Sequence, residues 1–266
     1  MSTSETAGFF TLGVPAERYH LPHPHLSLPV LLLIRRMLLR AFELLRAQNF
    51  NLADAKEDEV TAALRRTIEN NLRQTGEVPG FDKRKFETVI RQGQWANYDG
   101  KSLTKAPDLF FKLRNDETEP RLVLSEHDGL FIETKPVDAT HTVGSKYCDD
   151  GLIRFVRGDY AWAMQEAMML AYARSDRTIK RFLLPAMPEA RRMSTLQTQQ
   201  LPTRLTMEMA GSTPAAEAVY LSRHERTFQW PDSKGQATPI DIFHVWCVCD
   251  TLCQPRTSKA NESKVF

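Results

Sequence analysis

Two short motifs in the middle of the chain contain residue types that bind divalent cations. Pro107-Asp108 precedes one β-like run, and Glu133-Thr134-Lys135 lies in another. Because side chains alternate along a strand, Glu133 and Lys135 should project from one face while Thr134 points away. Carboxylates from two segments can hold Mg²⁺, and a nearby lysine can orient water or phosphate and offset negative charge in the transition state. The motifs therefore predict metal-assisted hydrolysis of a phosphodiester.

The apolar neighbours of Glu133 predict that its charge needs a partner. Leu130 and Ile132 can be buried on the opposite face of the same strand. A buried carboxylate without a cation or a donor is costly, so we expect one beside Glu133. The carboxylate should also favour the protonated form of Lys135, which argues against this lysine as a general base.

Two helices are predicted before these motifs. Leu28 to Asn49 has the pattern of a packing helix, and a second helix runs from about Asp54 to Gln74, with Gly76 as its stop. Apolar residues recur every four positions in the second helix: Val60, Leu64, Ile68 and Leu72. Projected at 100° per residue, Glu57 falls near this stripe and Glu69 falls on the far side.

Short β-like runs separated by turn residues predict a meander after the second helix. These runs are Leu109 to Leu113, Arg121 to Ser125 and Leu130 to Lys135, and a separate strand is predicted before them around Phe86 to Arg91. A polar loop then leads to a helix over Gly151 to Arg174, interrupted near Gly158-Asp159, and to a short strand at Phe182 to Leu184. Farther on, Arg191 to Ser212 reads as a loop or a helix, Ala218 to Trp230 could be a strand, and Ile240 to Cys249 is predicted as one.

The sequence resembles the PD-(D/E)XK superfamily in Pro107-Asp108 and Glu133-Thr134-Lys135. The resemblance covers roughly residues 54 to 185, with a helix–strand–strand–strand–helix–strand order, and implies a restriction-endonuclease-like fold. It also implies that Asp108 and Glu133 bind Mg²⁺, for which Mn²⁺ could substitute, and that Lys135 assists the water. Glu57, in the helix predicted from about Asp54 to Gln74, could match the extra acidic residue that the first helix of this family's core often supplies.

The resemblance further suggests substrate contacts from the helix predicted over Gly151 to Arg174 and from the loop that leads into it. Lys146 and Gln165 are the candidate residues for contacting the scissile phosphate or the DNA backbone. A plain surface role for both is the alternative.

We therefore expect one α/β core: a mixed central sheet flanked by helices. Residues 1–53 would form an N-terminal extension with a packing helix, 54–185 the nuclease core, and 186–266 a C-terminal β elaboration of the same domain.

Composition places weak limits on partners. The formal net charge is +2, so any nucleic-acid surface must be local. The apolar run Leu28 to Ile34 is far shorter than the roughly 20 residues needed to cross a bilayer. With no secretory leader evident, a cytoplasmic location without membrane contact is expected.

Clustered histidines and cysteines raise a second metal hypothesis. His20, His23 and His25 alternate with prolines, and Cys247, Cys249 and Cys253 lie near His244. Extended backbone and the lack of a two-residue cysteine knuckle argue against metal at either place. Buried, reduced cysteines are the preferred interpretation.

The expected activity is that of an Mg²⁺-dependent endonuclease or exonuclease, with DNA preferred, in restriction, antiviral defence or DNA repair. A homodimer is compatible with it, because paired sites make double-strand cuts. One alternative is a catalytically silent nucleic-acid-binding or protein-interaction module on the same fold. The other is a metal-dependent RNA or nucleotide hydrolase.

Overall fold

A seven-stranded mixed sheet forms the centre of the molecule in a computed structural model that describes residues 21–114, 126–205, 218–231 and 234–249. Its strands are β1 (Ile90–Arg91), β2 (Leu109–Lys112), β3 (Gly129–Val137), β4 (Glu166–Ala173), β5 (Thr198–Arg204), β6 (Tyr220–His224) and β7 (Ile240–Val248). They lie in the order β1-β2-β3-β4-β7-β6-β5. The α/β class with a mixed sheet is thereby confirmed.

Helices flank the sheet on both faces. In chain order they are α1 (Leu28–Ala47), α2 (Glu57–Thr67), a π-helical turn π1 (Ile68–Leu72), α3 (Arg73–Thr75), π2 (Val143–Leu152), α4 (Ile153–Arg157), π3 (Ile179–Leu183), α5 (Leu184–Ala186) and α6 (Ala190–Thr195). The predicted packing helix and the helix ending at Gly76 are confirmed; Gly76 adopts a φ of 65°, a left-handed conformation that glycine tolerates at a helix end. No helix of the described ranges is long and apolar enough to cross a membrane.

Strands β1, β2 and β3 form an antiparallel meander, and β3, β4 and β7 are parallel. The connection from β3 to β4 carries π2 and α4, as parallel strands require a crossover. All nine residues of β3 are buried, because helices cover both faces of this central strand. Its polar residues therefore lie in the interior of the protein.

The alternation along β3 divides its side chains between two helical layers. Thr134 faces α2, where its hydroxyl lies 3.2 Å from that of Thr61. Lys135 faces the other layer, against Gly151 of π2, where a Cβ would come within 3.3 Å of the lysine Cγ. The prediction that Thr134 points away from Lys135 is confirmed.

The helix predicted to run to Arg174 is wrong in its second half. Helical structure ends at Arg157, and Glu166–Ala173 forms β4 instead. All eight residues of β4 are buried between helical layers, so the strand is apolar on both faces. Such a run lacks the alternation that distinguishes a strand from a buried helix.

The strand predicted at Phe182 to Leu184 is also wrong, because these residues belong to π3 and α5. Pro185 lies in the first turn of α5, where a missing backbone N–H is tolerated. The predicted run Arg121 to Ser125 lies outside the described residues, whereas β1 and an isolated bridge at Phe86 occupy the earlier predicted run.

The C-terminal part adds β7 to the parallel strands and an antiparallel pair, β6 and β5, beyond it. The strand predicted over Ile240 to Cys249 is confirmed as β7, and that within Ala218 to Trp230 as β6. Strand β5 was not predicted. It is the last strand of the sheet, and most of its side chains are exposed, which agrees with its polar sequence.

Candidate active site

Strand β3 brings Glu133 and Lys135 to one face with their charged ends in contact. The lysine Nζ lies 2.8 Å from Glu133 Oε1. Glu133 is fully buried, and Lys135 is 7% exposed. The expectation that Glu133 meets a cation is confirmed.

Asp108 joins them from the first turn before β2. Its Oδ2 lies 4.0 Å from the Nζ of Lys135 and accepts hydrogen bonds from the backbone N–H and the hydroxyl of Thr134, at 2.7 and 2.9 Å. Because β2 and β3 are paired, these bonds fix the carboxylate against the middle of β3. Thr134 thus positions Asp108, a role that its orientation away from Lys135 did not suggest.

Glu57 completes the acidic cluster from the first residue of α2. Its Oε1 accepts a hydrogen bond from the Nζ of Lys135 at 2.8 Å. Burial raises the pKa of Glu57, although the charge of Lys135 opposes this. The structure therefore brings all four predicted residues together, with the carboxylates of Glu57, Asp108 and Glu133 around the ammonium group of Lys135.

Glu69, predicted on the exposed side of the same helix, is in fact buried. Its Oε1 accepts the backbone N–H of Val89 at 2.9 Å and an N–H of Arg73 at 2.9 Å. The π-helical turn π1 begins just before it and changes the angular step that a regular α-helix would have. Glu69 is a structural residue apart from the cluster.

Two further residues contact Glu133 and were not predicted. Arg154, on α4, places an N–H group 3.0 Å from Glu133 Oε1. The hydroxyl of Tyr160, which is fully buried, donates a short hydrogen bond to Glu133 Oε2. Tyr160 lies in the run predicted as a helix, beyond the end of α4 at Arg157. The unpaired charge of Glu133 was the only sequence signal for such partners, and it did not identify them.

The cluster has more negative than positive groups. Glu57, Asp108 and Glu133 face the cations Lys135 and Arg154. Burial, and then repulsion from Asp108, raises the pKa of Glu133 to about 7. Burial lowers the pKa of Lys135, but the three carboxylates outweigh it, so the pKa is raised overall. Lys135 is therefore a cation and not a proton acceptor, as its neighbours predicted.

The donor set fits a hard divalent cation in part. Glu133 Oε1 is buried, and although two cationic groups lie near it, no described residue donates a well-directed hydrogen bond to it. Carboxylate oxygens are the ligands Mg²⁺ prefers, and one or two of them suffice when substrate and water supply the rest. Among the described residues, however, no three His, Cys, Asp or Glu side chains are arranged as a ready metal site.

An open cleft of about 620 Å³ exposes the edge of this cluster. It lies where β3 and β4 end, since Pro136 and Arg174 both line it. Its wall carries charges of both signs. The ionisable lining residues are Asp54, Lys56, Glu57, Lys135, His141, Lys146, Asp149, Asp150, Arg154, Arg157, Asp159 and Arg174.

Only one of the two predicted substrate contacts reaches the cleft. Lys146 lines it from π2 and forms an exposed ion pair with Asp150 at 2.7 Å. Gln165 does not line the cleft, because it precedes β4 and so lies at the opposite end of the parallel strands. Its amide donates to the backbone carbonyl of His23 at 2.8 Å, so the predicted helical placement and its proximity to the site are wrong.

The second metal hypothesis finds no support in the described residues. Cys148, Cys247 and Cys249 are buried, as predicted. His244 is fully buried and its two ring nitrogens lie 2.8 Å from the hydroxyls of Tyr147 and Ser222. His20 and Cys253 lie outside the described residues.

The chain was compared with protein-family models, with curated proteins and with solved structures, and none of the three comparisons finds a match.

Proposed function

We propose that this chain is a Mg²⁺-dependent nuclease of the PD-(D/E)XK type. The observation that carries the proposal is the convergence of three carboxylates on Lys135 at the edge of an open cleft. Helix α2 is followed along the chain by strands β1, β2 and β3, by the helical crossover π2–α4 and by strand β4. This order agrees with the helix–strand–strand–strand–helix–strand order implied by the sequence resemblance. That agreement supports a restriction-endonuclease-like fold.

Asp108 and Glu133 would hold the cation, with Glu57 as a further carboxylate. The bound cation would polarise a phosphate oxygen and lower the pKa of a water molecule. Lys135 would orient that water or the phosphate and offset the negative charge that develops on the phosphoryl oxygens. Tyr160 and Arg154 hold Glu133, so one carboxylate oxygen is fixed by a donor before the cation binds.

The substrate we place first is DNA. A phosphodiester carries one negative charge, and the cations Lys146, Arg154 and Arg157 on the wall of the cleft suit it. RNA and nucleotides share this chemistry. Activity as a homodimer would allow both strands of a duplex to be cut.

The test is incubation of purified protein with plasmid, linear duplex, single-stranded DNA and RNA, in Mg²⁺, Mn²⁺ or EDTA. We expect cleavage that EDTA abolishes, and a loss of at least about 100-fold in Asp108→Ala and Lys135→Ala. Asp99→Ala and Lys101→Ala are matched controls, because this exposed ion pair lies in a separate turn. Cleavage by the Asp108 and Lys135 variants at the control rate would refute the assignment.

The same experiment separates the other functions. If no substrate is cut under any metal condition while the wild type and Lys135→Ala bind nucleic acid equally well, the chain is a binding module. If only RNA or mononucleotides are cut, the substrate assignment changes while the metal site stands.

A further inference from the structure

A histidine–carboxylate pair lies on the wall of the cleft, at the end of β3. The Nδ1 of His141 is 2.9 and 3.0 Å from the two carboxylate oxygens of Asp138, and His141 lines the cleft with 42% of its side chain exposed. The sequence motifs gave no reason to select either residue. Together they supply a proton acceptor for water, which the residues of the acidic cluster do not provide for the proposed reaction.

Asp138 is held rigidly. Its Oδ1 accepts the backbone N–H groups of Thr140 and His141, at 2.9 and 2.8 Å, and the Thr140 hydroxyl at 2.7 Å. Arg174 approaches its Oδ2 at 3.5 Å, while donating to the carbonyls of Leu52 and Ala55. Burial acts to raise the pKa of Asp138, but these hydrogen bonds lower it well below the usual range. Asp138 is therefore a fixed anion.

A fixed anion determines how the proton is placed on His141. An ionised carboxylate only accepts hydrogen bonds, so the Nδ1 of His141 must carry its hydrogen toward Asp138. In the neutral ring, the lone pair then lies on Nε2, the other nitrogen.

The proposed hydrolysis needs a proton acceptor for water, and the acidic cluster does not offer a good one. Lys135 is held as an ammonium by three carboxylates. Glu133 is fully buried and already accepts from Tyr160. Imidazole is a stronger base than a carboxylate and is matched to neutral pH.

We propose, on the basis of the proposed nuclease function, that His141 is the general base that activates the attacking water and that Asp138 positions it. Nε2 takes one proton from the water, whose oxygen forms a bond to phosphorus. The P–O ester bond breaks, and its electron pair leaves with the alkoxide, which takes a proton from solvent. The imidazolium then returns its proton to solvent.

Other charged groups surround this pair and set its field. They come from the segment before α2 and its first residue, from β3, from π2, from α4 and the turn after it, and from the residue after β4: Asp54, Lys56, Glu57, Lys135, Lys146, Asp149, Asp150, Arg154, Arg157, Asp159 and Arg174.

The test uses the full chain with Mg²⁺ and a fluorescein-labelled duplex, or labelled single-stranded DNA or RNA if that is what the wild type cuts. We expect His141→Ala to lose about 100-fold or more in kcat. Added imidazole should restore part of the activity of this variant only. The acid side of the pH–rate profile of His141→Ala should also lose the ionisation of His141 and keep only that of Glu133.

His141→Gln is the second variant, because its amide can still donate to Asp138 but cannot act as a base. It should fold like the wild type, as judged by the unfolding midpoint, and be as inactive as the alanine variant. The matched control is His25→Ala, which removes a similar histidine–carboxylate pair, with Glu166, outside the cleft. Its activity per folded molecule should stay within about threefold of the wild type.

Two results would overturn the inference while leaving the nuclease function intact. One is near wild-type cleavage by the His141 variants. The other is a loss that imidazole does not relieve, together with an unchanged acid side of the profile, which would assign His141 a structural role. Failure of the wild type to cut any substrate would instead refute the nuclease function itself.

Discussion

Replacing Glu133 with glutamine should increase stability above neutral pH while removing activity. Glu133 is fully buried, and its pKa is raised from 4.5 to about 7 by burial and then by repulsion from Asp108. The folded protein therefore resists the ionisation that the proposed metal site requires. A neutral amide of nearly the same shape avoids this penalty.

The magnitude follows from the two pKa values. Below pH 4.5 the carboxyl is protonated in both folded and unfolded states, and its contribution to stability is fully present. As pH rises from 4.5 to about 7, the unfolded state loses its proton first and stability falls; above that range the loss is constant. The difference between the unfolded and folded pKa values of Glu133 corresponds to a loss of about 3 kcal/mol in the free energy of unfolding. The pKa of about 7 already includes the favourable charge contacts of Glu133 with Lys135 and Arg154, so these contacts are not subtracted again.

The measurement is the free energy of unfolding of both proteins by urea, from pH 4.5 to 8.5. We expect the difference between Glu133→Gln and wild type to shift in favour of the variant by about 2–3 kcal/mol up to pH 7.5 and then level off. Excess Mg²⁺ at pH 8 should stabilise the wild type and not the variant. A difference that is the same at pH 5 and pH 8 would refute the account of Glu133.

Three other expectations test the neighbours of the site. Gly151→Ala should lower cleavage at least about tenfold with little change in unfolding free energy. Its Cβ would lie 2.9 Å from the Cε of Met169, the far end of a flexible side chain, and 3.3 and 3.4 Å from the Cγ and Cε of Lys135, which would have to shift. An unaltered rate would contradict this expectation. Tyr160→Phe removes the hydrogen-bond donor that favours the ionised form of Glu133. The acid limb of the pH–cleavage profile should therefore move upward by about one pH unit. An unmoved limb would show that this hydrogen bond does not affect the ionisation of Glu133. Burial lowers the pKa of His224 to about 4, so this histidine contributes a loss of about 3 kcal/mol of stability as pH falls from 6.5 to 4. In urea unfolding, the stability of His224→Gln relative to the wild type should rise by that amount over this pH range, and a constant difference would contradict the account.

The parts of the site that could be predicted from sequence depend on local geometry. Alternation along a strand is enough to place Glu133 and Lys135 on one face and Thr134 on the other. The position of Glu57 follows from its place near the apolar stripe of α2. Both patterns are fixed by residues two to four positions apart, so no knowledge of the tertiary fold is needed.

The parts that could not be predicted depend on contacts between distant segments. Arg154 and Glu133 are 21 positions apart, and Asp108 is 26 positions from Thr134. Glu69 was misplaced by a π-helical turn, which has no reliable sequence signature. The prediction for Gln165 is wrong because β4 was predicted as a helix. In the structure Gln165 precedes β4 and lies at the opposite end of the parallel strands from the site.

The error in β4 also concealed the cleft. In an open α/β sheet, ligands bind beyond the carboxyl ends of the parallel strands. Once Glu166–Ala173 is a strand parallel to β3, the residues that follow each strand must meet at one edge. Asp138 follows β3, Arg174 follows β4, and the two are in contact there at 3.5 Å. A continuous apolar run interpreted as a parallel strand therefore predicts the edge of the sheet at which Asp138 lies, and with it His141.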